Sequence, residues 1–146
     1  MKYNTQAGFT LLELMLVVAM IGLIAMFGAS LGSGFLWRTD LSQAQYSTVV
    51  HLRYAQVLAH AAQDDSDWGV HIENNRLILF KGNDFETRDE ESDEENDLGS
   101  VTVSDPIDVV YHKFSGIPYL SSSEITLTTN EETAVIQVNQ EGTLTY

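Results

Sequence analysis

Polar and apolar positions divide this chain into stretches of different texture. Residues 1–8 are mostly polar, and from Leu14 to Trp37 no side chain carries a charge. At about 1.5 Å per residue such a helix reaches roughly 36 Å, enough for a hydrocarbon core of about 30 Å. Beyond Arg38 the apolar positions settle into a helical period. Leu41, Thr48, Leu52, Ala55, Ala59 and Ala62 recur at spacings of three, four and seven, predicting one narrow buried face on a helix that ends near Gln63. Asp40 could cap a restart of that helix. Tyr46, Val50, Tyr54 and Val57 either widen the buried face or meet neighbouring subunits.

After the acidic turn at Asp64–Asp67 the period switches to alternation. Trp68 to Glu73 and Arg76 to Phe80 flank Asn74-Asn75, a hairpin signal because asparagine tolerates positive φ. Val101 and Val103 alternate next. Ile107 to Tyr111, Ile125 to Thr128, Thr133 to Val138 and Thr143 to Tyr146 are rich in β-branched or aromatic residues, and Gly142 marks the last turn. The expected class is α+β: a long N-terminal helix, membrane-spanning in its first half and amphipathic in its second, packed on an antiparallel β-sheet head.

The formal net charge of −14 changes the picture of the head, because the acids lie almost entirely there. Such a surface repels phosphate backbones and argues against direct nucleic-acid binding. Cysteine is absent, which excludes a disulfide framework and thiolate metal sites.

The N-terminus carries the most specific chemistry. A secretory signal peptide has a shorter apolar centre. A signal anchor fits the length, with Lys2 favouring a cytoplasmic N-terminus. Neither accounts for Glu13 inside the apolar run, where a carboxylate costs about 2.5–3.5 kcal/mol at the membrane centre and less near its end. Cleavage between Gly8 and Phe9 would create an amine four residues before Glu13, able to meet Glu13 of a neighbour in a stacked assembly. The bland alternative is an interfacial Glu that snorkels to the headgroups.

Gly8-Phe9-Thr10-Leu11-Leu12-Glu13-Leu14 resembles the prepilin motif of type IV pilins and type II secretion pseudopilins. The resemblance implies cleavage after Gly8 by prepilin peptidase, N-methylation of Phe9, and assembly through Glu13. It also implies a single-pass inner-membrane stage with the head extracytoplasmic. Assembly at the inner-membrane platform with other pilin or pseudopilin subunits then gives an extracellular or periplasmic filament. The corresponding organisation is a leader at 1–8, a transmembrane and assembly half at 9–37, an amphipathic half at 38–63 and a β-rich head at 64–146. His51 to Ala59, and the Tyr111–Gly116 step with the Gly142 hairpin, are similar to the pseudopilin H and FimT-like group. The missing two-cysteine loop of many major pilins points to a minor pilin or pseudopilin. Gly22, Gly28, Gly32 and Gly34 lack the helix-breaking proline common in that family. They mark either a stretch that melts on assembly or a close helix contact.

From Asp84 to Asp97 nine of fourteen residues are acidic. The expectation is a solvated surface loop, since like-charge blocks repel. Calcium is the one cofactor it suggests, with Asp89, Asp93 and Asp97 as candidate ligands, although the spacing is not that of an EF-hand. The four histidines are scattered, and no nucleophile-elbow or phosphate-loop pattern occurs, so an enzyme is not expected. The competing function is a membrane-anchored binding module whose acidic loop holds calcium or a cationic partner.

Overall fold

The computed structural model describes residues 9–31, 33–120, 123–130 and 132–146, with the backbone alone for 27–31, 33–39 and 120. Contacts divide the chain into two units, Met1–Leu36 and Trp37–Tyr146.

In the first unit, helix α1 spans Leu11–Leu31. It is built from Leu, Met, Ala and Ile, and its described side chains through Met26 are all exposed. Among the described residues no helix is long and apolar enough to cross a membrane. The expected membrane-spanning half extends beyond the described side chains. The charge-free stretch runs on through positions 27–37, whose side chains are not described, and Leu14–Met26 alone rises only about 20 Å. Gly22 sits in α1 with open space where a Cβ would stand. Gly32 lies outside the described residues, so the soft-stretch reading is left there.

The second unit contains helix α2, Ser33–His60, from Trp37 onward, and, among the described residues, nine strands. The strands are β1 Trp68–Glu73, β2 Arg76–Lys81, β3 Glu94–Asp97, β4 Thr102–Val103, β5 Ile107–Tyr111, β6 Pro118–Leu120, β7 Glu124–Thr128, β8 Thr133–Val138 and β9 Leu144–Thr145. They form two antiparallel sheets, ordered β3-β2-β1-β5-β6 and β4-β7-β8-β9. The β1–β2 hairpin closes through Asn75 at φ +69°, with Glu73 opposite Arg76, as the Asn-Asn signal predicts.

One core joins α2 to both sheets. Leu41, Thr48, Leu52, Ala55 and Ala59 are buried along one helix face as the spacing predicts, and Ala44 and Val49 join them. Val70, Leu79, Tyr111, Ile125 and Ile136 face them from the strands. Tyr111 is fully buried, and its hydroxyl has no partner among the described residues. Burial raises its phenol well above the ordinary tyrosine range, so it stays neutral.

Two helix expectations fail for local reasons. Asp40 caps nothing, because α2 begins at Ser33 and runs through it; Asp40 instead accepts a bond from Ser100 Oγ at 3.3 Å. Ala62 lies beyond the helix end in the left-handed region, φ +49°. The helix stops earlier because the backbone N–H of Phe114 donates to the Ala59 carbonyl at 2.9 Å, satisfying an end that would otherwise need another turn.

The expected loop 84–97 is also corrected. Its last part is strand β3, an edge strand paired with β2 in the register Leu79↔Glu94 to Arg76↔Asp97. Backbone pairing offsets the repulsion because alternate carboxylates point to opposite faces and stay hydrated. Arg76 adds a contact to Glu95 at 3.5 Å.

Candidate assembly site

The first candidate group is the start of α1. Thr10 caps the helix: its Oγ1 accepts the backbone N–H of Glu13 at 3.3 Å, and its carbonyl takes the same group at 3.1 Å. The spacing Thr10-x-x-Glu13 is that of a capping box, a signal the sequence reading passed over. It gives Glu13 a local reason to stand in the first turn, where the helix dipole favours a carboxylate. That role and an assembly role are compatible, because the cap uses the Glu13 amide and leaves its carboxylate unengaged among the described residues. Phe9, at 85 % exposure, stands just before the cap. Gly8 lies outside the described residues, so the cleavage junction is seen from its Phe9 side alone.

The second group is the outward face of α2. Tyr46, Val50, Tyr54 and Val57 are exposed, at 69 %, 41 %, 44 % and 61 %. They leave the core face narrow and form a stripe on the opposite side of the helix. A solvent-facing stripe is normally charged. Here Arg53 is its one charged residue, and no acid occurs between Asp40 and Asp64.

The acidic segment behaves differently from a free loop. Its one aromatic residue, Phe85, lies flat on His71, with ring centroids 3.7 Å apart, and edge-on to Phe80 at 5.4 Å. The Arg88 guanidinium covers the other face of Phe85 at 3.8 Å. Register puts His71, Phe80, Ile78 and Val110 on the sheet face turned away from α2. Phe80, Ile78 and Val110 are buried on this face as a second, smaller core, with Phe85 of this acidic strap against Phe80. Gly69 is required here: a Cβ would stand 2.4 Å from the Phe80 ring. His71 is held by Asp108 at 2.6 Å.

The three calcium candidates are engaged separately. Asp89 bonds Lys81 at 2.9 Å, and this bond holds its carboxyl below the usual carboxylate range. Asp93 bonds Arg88 at 2.8 Å, and Asp97 accepts the backbone N–H of Gly99 at 2.7 Å. Among the described residues no group of three or more His, Asp or Glu side chains is arranged to hold a metal ion. His51 Nδ1 donates to the Ser47 carbonyl of its own helix at 2.8 Å, His60 lies against Gly116, and His112 faces Asp67.

Residues 3–29 match the family described as the prokaryotic N-terminal methylation motif. No curated protein and no solved structure matches the chain. The chain therefore carries a prepilin-type N-terminus ahead of an α+β head with antiparallel sheets. A motif of this kind implies a processed precursor that assembles with other pilin-like subunits.

Proposed function

We propose that this protein is a structural subunit, a minor pilin or pseudopilin, of a type IV pilus-like or type II secretion filament. Prepilin peptidase cuts it after Gly8, Phe9 is N-methylated, and Glu13 neutralises the new amine during assembly. Before assembly the N-terminal helix anchors it in the inner membrane. The observation that carries the reading is the methylation-motif match over the segment that holds Phe9 and Glu13.

The two exposed apolar surfaces support it. The described side chains of α1 are uncovered within this chain, and the α2 stripe combines two tyrosines, two valines and an arginine without an acid. Interface cores are enriched in tyrosine and arginine and poor in acids. The acidic strap is neutralised in part by its own chain through Lys81 and Arg88, which gives the competing cation-binding module less to work with.

N-terminal mass spectrometry of the native protein tests the proposal. The expected species begins at methylated Phe9, and Gly8→Lys abolishes it. An intact Met1 in the membrane-associated protein would sink the reading.

A further inference from the structure

Charge in the head is lopsided, and the few cations are nearly all spent internally. Among the described residues Arg76, Lys81, Arg88 and Lys113 each sit in an ion pair with a carboxylate of the same chain. Arg53 is the one Lys or Arg with a described side chain outside such a pair; it is exposed on a face of α2 that bears no acid of the helix, beside a cavity that Glu141 also lines.

The same helix borders a cavity of about 290 Å³ with the opposite character. Asp40, Gln43 and Ser47 of α2 face Asn96, Asp97 and Gly99 across it, and no Lys or Arg lines it. Its frame is fixed: Asn96 Nδ2 donates to Ser47 Oγ at 2.7 Å, Ser100 Oγ donates to Asp40, and the Gly99 N–H holds Asp97. The cavity thus offers two carboxylates with free lone pairs, plus amide and hydroxyl acceptors. Among the described residues no group of three or more His, Asp or Glu side chains gathers there for a metal ion. A guanidinium fits better, because it is planar and its five donors satisfy two carboxylates and neighbouring acceptors together.

We propose that the Arg53 side chain of one copy enters the Asp40–Asp97 cavity of the next copy. The contact rests on the filament reading above and gives it a specific subunit interface. Position 53 lies thirteen residues beyond position 40 on one helix, so the donor and the acceptor are about 20 Å apart along its axis. Two parallel copies can satisfy the contact only when displaced along that axis by about this distance. Between parallel copies the donor and the acceptor stand at different heights, so the contact is head-to-tail; only antiparallel copies could pair them reciprocally. Such a contact leaves one unused donor and one unused acceptor at the ends of any assembly, and it propagates rather than closing into a dimer.

The absence of native cysteine makes the test clean. The full chain carrying both Arg53→Cys and Asp97→Cys is allowed to assemble in its membrane and then oxidised. A ladder of dimers, trimers and higher multimers is expected, collapsing on reduction, with neither single variant giving one. A double variant that stops at the dimer, or a dimer from either single variant, would indicate a two-fold contact and overturn the proposal.

A charge exchange gives the second arm. Arg53→Asp and Asp40→Arg each lower incorporation into filaments at least about tenfold, and the two together restore most of it. Absence of both ladder and rescue, in filaments that still form and still depend on Glu13, overturns the contact and leaves the filament reading standing. A chain that keeps Met1 or never enters a filament overturns both.

Discussion

The two helices of this chain are specified in opposite ways. Helix α1 is apolar on nearly all sides, and every described side chain on it is exposed, up to 78 % at Leu11. Helix α2 has a sharp inner face, with Leu52, Ala55 and Ala59 at 0 % exposure, and an outer stripe of tyrosine, valine and one arginine. The first helix needs only a composition, because nothing in its own chain covers its described side chains. The second needs a period, because its own chain supplies the surroundings on one side. A substitution should therefore be judged by which environment it faces: on the proposed function α1 and the outer stripe answer to assembly, and the inner face answers to folding.

The sharpest way to break that division is on α2 itself. Leu52→Ala should cost about 2–5 kcal/mol through lost burial and the cavity left behind. Val57→Ala, one and a half turns away on the outer stripe, should stay within about 0.5 kcal/mol. Urea unfolding of the full chain in detergent measures both, and equal costs would erase the distinction between the faces.

A smaller effect probes the second core. Phe85→Ala removes the ring between His71 and Arg88 and should cost about 1–3 kcal/mol. Amide exchange should quicken across residues 82–93 while β1 and β5 hold their protection. Unchanged exchange there would mean that the aromatic stack does not hold the strap.

Tyr111→Phe moves in the other direction. It removes a buried hydroxyl that lacks a partner and keeps the ring, so stability should rise by about 1 kcal/mol. A loss of that size would reveal a bonded partner, a buried water for example.

The smallest effect is acid dependence of the strap. Hydrogen bonding to Lys81 first, then to Ser92, lowers the Asp89 carboxyl from its ordinary value. A lowered carboxyl contributes stability that is fully present above about pH 3.9 and is lost as pH falls below it. The carboxyl is exposed, so the change should be slight and confined to exchange rates near residues 81–92. Asp89→Asn should flatten it.

Legibility in the sequence followed the range of the forces involved. The β1–β2 hairpin was readable because alternation and a two-residue turn are local signals, and the inner face of α2 because its period repeats. Strand β3 was hidden: carboxylates dominate Glu94–Asp97, whereas the pairing with β2 is made by backbone that no side chain advertises. Strand β6 is only three residues long and begins at Pro118. The division into two sheets depends on which distant strands meet, and neither charge nor period records that.

At the candidate site, Phe9 and Glu13 stood out because an acid in an apolar run is costly. The Thr10 cap was overlooked beside that stronger signal. Phe85 is a single aromatic residue inside a polar run, and only the sheet it lies on reveals its purpose.

The two margins of the five-stranded sheet have a consequence for the protein in a crowd. An open margin is a row of unpaired amides and carbonyls, a template on which a second molecule can add a strand and start an aggregate. Here one margin is β3, whose acids would confront the acids of any identical strand laid beside it. The other is β6, which opens on a proline that has no N–H to lend. Copies packed densely in one place are thereby discouraged from zipping together through their heads, so association is steered toward the helices.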